Sequence, residues 1–518
     1  MTSTELCLCV DLGTGGPKVG LVTLDGKLVA YELHAVATYV DDLGAATQDA
    51  EEWWRVITEA ARRLLDRSDV SRESVRAVAV TGQWASTVPV DANGGPTGPC
   101  LTWLDTRGGV FSRRAVGGSA QGYGAMKLMQ FIKKTAGAPS TSGADPIGHI
   151  LYLMNCEPEL VERTRWFMEP VDYLTMRFTG VASATHASRT ALWLTDNRRL
   201  NHFDYDPALL EIVGIDKTRL PPLVPVGTIV GPLLSSVAAD LGLEESTSVV
   251  TGVPDLHAAA IGSGGTRPFE THLAISTSSW VSCPFPSKKT DVNHMVASIP
   301  GLTNDSYLVV DNQESGGKAL EWLRATLTGD RRLDYNELTA LAATSPPGAN
   351  GTLFTPWLAG ERSPVDDRRV RGGFTNLSTA TTTADLTRAV MEGVAANSAW
   401  LFGYVEKFAG RSLSPVRVLG GGAQSELWCQ IYADALDRDV IQVPDPMVAQ
   451  LRGAALLASA ALGRRALTDA DGHLDRARTF EPDPESRDFY ASRRRQFPEL
   501  YRRDHKWSRE QRSIMARG

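Results

Sequence analysis

Residues Leu6 to Val36 read LCLCVDLGTGGPKVGLVTLDGKLVAYELHAV. Within this stretch Leu6 to Asp11, Val19 to Leu24 and Leu28 to Val36 are short runs rich in apolar or β-branched residues. A Gly-rich turn separates the first two and an Asp-Gly pair the last two, the pattern of an antiparallel meander. Asp49 to Arg67 then carries Trp53, Ile57, Ala60, Ala61 and Leu64 at helical spacing, and Ala77 to Thr81 returns to strand composition.

The same order comes back later in the chain. His272 to Cys283 (HLAISTSSWVSC) reads as strand, turn and strand, Tyr307 to Asp311 as a strand, and a helix starts near Gly317. A helix from about Asp385 to Lys407, a strand at Pro415 to Leu419 and a helix from Ser425 to Leu436 continue the α/β alternation. The second half thus reads as a diverged copy of the first, with no short-period repeat between them. A chain of 518 residues also exceeds what one core sustains, so two large domains with a cleft are expected. Glu157 to Thr179 reads as one helical segment and Asp204 to Val250 as loop punctuated by Pro and Gly. The charged tail after Pro484 reads as a solvated terminal helix, with packing onto the first domain as the alternative.

Bulk properties exclude several classes. A net charge of −7 argues against a surface built for nucleic acid. The longest apolar stretch, Val448 to Gly463, contains Gln450 and Arg452 and is too short for a membrane span, so it reads as a buried helix. The start of the chain lacks the basic segment and cleavage site of a secretory signal, and Cys7, Cys9, Cys100, Cys156, Cys283 and Cys429 show neither zinc-site nor disulfide-framework spacing. The expectation is a cytoplasmic protein in a reducing compartment.

Four motifs carry chemistry. DLGTGGPK, Asp11 to Lys18, puts a carboxylate at a strand end, a Gly/Thr turn next, and a lysine on the following strand. Such a turn suits phosphate: glycines admit anionic oxygens to backbone N–H groups, Thr14 can donate, Lys18 can neutralise charge, and Asp11 can hold Mg²⁺ through its waters. A plain Gly-rich hairpin looks the same, and the Walker spacing is missing. GVPDLHAAAIGSG places Asp255 ahead of a small-residue run suited to a helix packed closely on a neighbour. Asp255 reads as a helix N-cap, as the carboxylate an alcohol needs during phosphoryl transfer, or as both. STSSW, Ser276 to Trp280, stands in its half where the Gly-Thr turn stands in the first, and two such turns could hold the two ends of a triphosphate. A polar hairpin is the alternative. LGGGAQSELW, Leu419 to Trp428, runs from strand through three glycines into a helix, which leaves room for a flat ring against backbone or serves packing alone.

Taken in order, DLGTGGPK, TGQWAST, WLDTR, GVPDLHAAAIGSG, STSSW, ESGGKALEWL, PWLAGERSPVDDRRVRGGF and LGGGAQSELWCQIYADAL resemble the FGGY carbohydrate kinases, most closely their xylulokinase-like branch. The resemblance runs from about Leu6 to Gly463. It implies an α/β fold of two ribonuclease H-like domains of the actin and hexokinase superfamily, closing around ATP and a sugar. The expected division is 1–254 for the sugar site and first phosphate turn, 255–465 for the second phosphate turn and adenosine pocket, and 466–518 for a helical tail. By motif, Asp255 is the implied catalytic base and Asp11 the carboxylate associated with Mg²⁺. Thr14, Gly15 and Lys18 belong to the first phosphate turn, and Thr277 and Ser278 to the second. Gly317 and Glu321 match positions near the nucleotide, Gly421, Gly422 and Ser425 the adenosine pocket, and Gln83, Trp84, Trp103 and Asp105 the sugar site.

The chain departs from the family pattern at three places. Members assigned to xylulose carry a Met-His pair where Trp84 and Ala85 stand, and an amide residue usually follows the catalytic Asp where this chain has Leu256 and then His257. The first phosphate turn contains Pro17, and the second has Ser278 in place of glycine. Catalysis is therefore expected to be retained and selectivity shifted. The implied reaction is Mg²⁺-dependent transfer of the ATP γ-phosphoryl group to a hydroxyl of a ketose or polyol. A glycerol-type polyol kinase, an ATPase of the same fold and a silent sugar-binding regulator are the rivals. The expected partner is a small-molecule sugar or polyol, with a homodimer allowed for and neither nucleic acid nor membrane.

Overall fold

The computed structural model describes residues 4–67, 69–120, 122–327 and 333–515. Strands β1 (Leu6–Gly13), β2 (Gly16–Thr23) and β3 (Leu28–Leu33) form the antiparallel meander. Helix α1 (Ala50–Leu65) follows, started by the Asp49 carboxylate accepting the Glu51 N–H, and it buries Trp53, Ile57 and Leu64. Strand β4 (Val75–Gly82) pairs parallel with β1, and β5 (Ser248–Val250) parallel with β4. In space the sheet runs Ile229–Pro232, β5, β4, β1, β2, β3. Between β4 and β5 the chain builds a mainly helical region with its own core around Ile147, Ile150 and Leu192.

The second half repeats the plan. After helix α2 (Asp255–Gly262) come β6 (Thr271–Ile275), β7 (Ser279–Ser282), β8 (Tyr307–Val310) and α3 (Gly317–Leu327). Helix α4 (Thr383–Ala409), β9 (Val416–Leu419), α5 (Glu426–Leu436), β10 (Val440–Gln442) and α6 (Ala449–Ala461) complete it. Strand β6 pairs antiparallel with β7 and parallel with β9, as β1 does with β2 and β4. Strand β8 belongs to a separate four-stranded sheet and meets the end of the β6–β7 hairpin through the Ser279 to Gln313 bridge.

Helices α2 and α6 each follow the tripeptide Val-Pro-Asp, at Val253 to Asp255 and Val443 to Asp445, and they cross in contact. A Cβ added at Gly262 would lie 1.8 Å from the Ala449 carbonyl oxygen, and one at Gly453 would lie 1.9 Å from that of Ala258. Only glycine lets the backbones come so close. Although α6 comes late in the chain, it packs on β1, β2 and β4 of the first sheet. The long apolar stretch is thus a buried helix, and among the described residues no helix is long and apolar enough to cross a membrane.

Three expectations change. Glu157 to Thr179 is not one helix but Pro158–Arg163, a strand Trp166–Met168 paired with Val88–Val90, and Pro170–Thr179. Pro158 and Pro170 each open a new helix at its first position, where no N–H is missed. Asp204 to Val250 holds two helices, Pro207–Val213 and Ser235–Leu241, each too short to show a period. The tail forms helix α7 (Arg487–Met515), whose Phe497 ring sits 5.5 Å from Trp357 and 6.3 Å from Trp400. One of its faces therefore covers the second half.

The crossing yields a direct test. Gly453→Ala should force the two helices apart and cost about 2–3 kcal/mol or more, because backbone and not a pliable side chain meets the new methyl. Urea unfolding of the variant against the parent chain measures it.

Candidate active site

The first turn is fixed by β-register. Asp11 on β1 lies opposite Lys18 on β2, and the Lys18 Nζ donates to Asp11 Oδ2 at 2.8 Å. Asp11 is only 2% exposed, and its charge pulls the Lys18 pKa upward against the effect of burial. Gly15 at the tip is exposed, with open space where a side chain would be.

Asp255 is the first residue of α2, one place inside the helix from the cap, which Pro254 occupies. The N-cap reading is corrected accordingly: the Asp255 carboxylate accepts the N–H of its neighbour Leu256 at 2.8 Å. The protein around it keeps water from its charged form, and the like charge of Asp11 adds to this. Together they push the Asp255 pKa up to about 7, against the opposing pull of the Leu256 N–H and Lys18.

A hydrogen-bonded wall stands next to the first turn. The Thr14 hydroxyl donates to Gln83 Oε1 at 3.1 Å and accepts from Trp103 Nε1 at 3.0 Å. Thr14 therefore ties the turn to two residues expected at the sugar, and its hydroxyl is already engaged. Gln83 Nε2 donates to Gln48 Oε1 at 2.9 Å, and Gln48 Nε2 to the Thr14 carbonyl at 2.7 Å, which closes the ring of contacts. Trp84 is half-buried against the apolar cluster that contains Leu256. Beyond it Ala85 takes a φ of 58°, and the buried Glu169 accepts the Ser86 N–H at 3.1 Å. Gln48 and Glu169 carried no signal in the sequence, since each acts on a partner far along the chain.

Three expectations change here. Asp105 has no exposed surface: it accepts the Ala46 N–H at 3.0 Å and binds Arg107 through Nη2 at 2.7 Å, so it braces the Trp103 loop from behind. Leu256 is buried, and His257 turns into the core, where its Nε2 meets the Pro300 carbonyl at 2.8 Å. Burial holds that imidazole down at about 4, neutral, and neither residue lines a sugar site. Ser425 is the N-cap of α5, its hydroxyl accepting the Trp428 N–H at 3.1 Å.

The second turn is brought together with the glycines of both nearby motifs. Gly317 N–H donates to the Ser276 carbonyl at 2.6 Å and Gly316 N–H to that of Thr277 at 2.9 Å. A Cβ at Gly420 would lie 2.7 Å from Ser276 Oγ, and one at Gly422 would lie 2.3 Å from Ile275 Cγ2. These glycines let the strand ends converge, whereas Gly421 has open space around it. Thr277 is exposed, Ser278 half-buried, and Glu321 exposed one turn along α3. Beyond this group a cavity of about 390 Å³ lies between the halves, bounded by Leu28 and Tyr31 on one side and Gln424, Gln442, Asp445 and Met447 on the other.

A hairpin with a parallel strand beside it is built twice, and the carboxylate of Asp255 stands at the start of the helix that crosses between the two copies. The chain belongs to the FGGY family of carbohydrate kinases: the model of the family's N-terminal domain matches residues 6–262 and that of its C-terminal domain residues 275–462. Its activity is that of an ATP-dependent carbohydrate kinase. A xylulose kinase of Staphylococcus epidermidis is 28% identical over 492 residues, covering 94% of each chain. A gluconokinase of Bacillus subtilis is 26% identical over 469 residues, covering 89% of this chain and 88% of that one. The crystal structure of a ligand-bound xylulose kinase from Lactobacillus acidophilus matches with a TM-score of 0.83 at 21% identity, covering 96% of this chain and 98% of that one. That likeness establishes the fold.

The raised pKa of Asp255 has a consequence for stability. The folded chain holds this proton up to about pH 7, whereas an unfolded Asp releases it near about pH 4. The folded state binds more protons across that window, so this group's stabilising contribution is present below it and lost as pH rises through it. Asp255→Asn cannot ionise and escapes the loss. Thermal melts should show the variant gaining on the parent chain between about pH 5 and about pH 8. Parallel curves would contradict the raised pKa.

Proposed function

We propose that this kinase transfers the γ-phosphoryl group of ATP to a hydroxyl of an open-chain sugar or polyol, with Asp255 as the general base. The observation that carries the reading is the position of Asp255 at the start of α2, electrostatically coupled to the Asp11–Lys18 pair. A carboxylate with a pKa near neutrality suits the task, because it accepts a proton at working pH and still has the drive to take it. Gln83 and Trp103 offer the sugar an amide and an indole, both held in place by Thr14. Lys18, kept charged by Asp11, neutralises negative charge that builds on the transferred group.

Among the described residues no group of three or more His, Cys, Asp or Glu side chains gathers to hold a metal by itself. Asp11 beside Lys18 instead suits a Mg²⁺ that keeps several waters and is carried in on phosphate oxygens. Asp11 is the residue that would hold it, and the ion would offset phosphate charge. The backbone around Thr277, Gly317 and Gly421 would receive the nucleotide in the second half, next to the open space at Gly421.

The base assignment separates cleanly from a structural one. Asp255→Asn should fold and bind nucleotide, yet lose about 10²- to 10⁴-fold in kcat, the usual share of a positioned proton acceptor. A folded variant with nearly normal turnover would end the assignment.

The substrate is read from Trp84 and Ala85, which bring an indole and a methyl to the place where the family resemblance implies a Met-His pair in members assigned to xylulose. A sugar that needs a hydrogen bond there would be left with a buried, unpaired hydroxyl. Xylulose should therefore be a poor substrate. An ATP-consumption screen of ketoses, polyols and sugar acids, gluconate among them, tests this, and efficient turnover of xylulose would reverse it.

A further inference from the structure

The stretch PWLAGERSPVDDRRVRGGF, Pro356 to Phe374, has no part in the chemistry assigned so far. One of its residues reaches the first half. The Arg362 guanidinium carbon stands 5.4 Å from the centre of the Trp103 ring, the indole whose N–H is bound to Thr14. Arg362 Nε donates to Glu314 Oε2 at 2.6 Å, and Arg368 Nη1 donates to the same oxygen at 2.7 Å. No hydrogen bond links the terminal nitrogens of Arg362 to another described residue.

The base of this arm is rigid. Buried Glu361 accepts the backbone N–H groups of Glu314 and Arg362, each at 2.8 Å, and the Asn397 side-chain amide at 2.6 Å. Asn397 in turn accepts the Trp357 indole N–H at 3.1 Å. Glu314 lies two residues before Gly316, whose N–H is bound to Thr277 in the second turn. A continuous set of contacts thus leads from Thr14 through Trp103, Arg362 and Glu314 to the turn at Ser276 to Ser278.

We propose that Arg362 is a positioning residue supplied by the second half to cover Trp103, so that the sugar wall is complete only with the halves together. Sugar held against Trp103 and nucleotide held at the second turn then favour each other's binding through Arg362 and Glu314. The inference rests on the sugar lying at Gln83 and Trp103. A planar guanidinium suits a position that must face an aromatic ring and hold a carboxylate at once, and an ammonium cannot do both.

The test measures sugar KM, kcat and the binding of a non-hydrolysable ATP analogue with and without the sugar found in the screen. Arg362→Ala should raise sugar KM by about tenfold and remove most of the sugar-induced gain in analogue affinity. Its melting temperature should stay close to that of the parent chain. Arg362→Lys should recover part of the KM and little of the coupling, and Glu314→Gln should weaken the coupling in the same direction. Should Arg362→Ala fail to fold, the Lys and Gln variants decide the matter. Parent-like KM and coupling in the folded variants would overturn the proposal while leaving the kinase reading intact. A parent chain that phosphorylates no sugar would overturn the site reading itself.

Discussion

The two halves are held by the crossing of α2 and α6, and that crossing is possible only because Gly262 and Gly453 have no side chains. Contacts between backbone and the Ala449 and Ala258 carbonyls leave no slack, so the position of α2 is fixed to within a fraction of a methyl group. Asp255 is its first residue and inherits that position. Because α6 also rests on β1, β2 and β4, the strand that carries Asp11 is fixed by the same crossing. Two carboxylates from distant parts of the sequence are thereby held where each feels the other.

Holding them there works against stability. A carboxylate at Asp255 would rather be in water and away from Asp11, which is why its pKa is raised. The fold offsets this only in part, with one N–H from Leu256 and the charge of Lys18. A carboxylate whose charge the resting protein disfavours is suited to proton transfer at neutral pH, the role proposed for Asp255. Beside the first turn, polar side chains hold one another: Gln48, Gln83, Thr14 and Trp103 are linked in a ring, and Asp105 is matched by Arg107.

Those features of the fold that depend on local pattern were legible. The meander, α1, α4 and α5, and the small-residue helix after Asp255 come from periodicity and turn residues within a few positions of one another. Side-chain roles were harder, because a role depends on partners that the sequence does not bring near. Asp105 reads as a ligand until Ala46, 59 residues earlier, is seen to donate to it. Leu256 and His257 read as marks of a changed sugar site until Leu256 is found buried and the Pro300 carbonyl against His257. Gln48 and Glu169 have no motif at all. The placement of Asp11 beside Lys18 across a glycine turn, and of Asp255 at a helix start, was readable because both follow from local pattern.

The two Val-Pro-Asp tripeptides show how far duplication carries and where it stops. Both precede a crossing helix, and both aspartates belong to the boundary between the halves. Asp255 continues directly into α2 beside Asp11, where charge is disfavoured. Asp445 is followed by Pro446, takes a φ of 44°, and stays 48% exposed with the Arg452 guanidinium 3.7 Å away. The chain therefore keeps the repeated scaffold symmetric and its electrostatics one-sided: the same tripeptide places an aspartate beside a second carboxylate in one copy, and beside an arginine at the edge of the 390 Å³ cavity in the other.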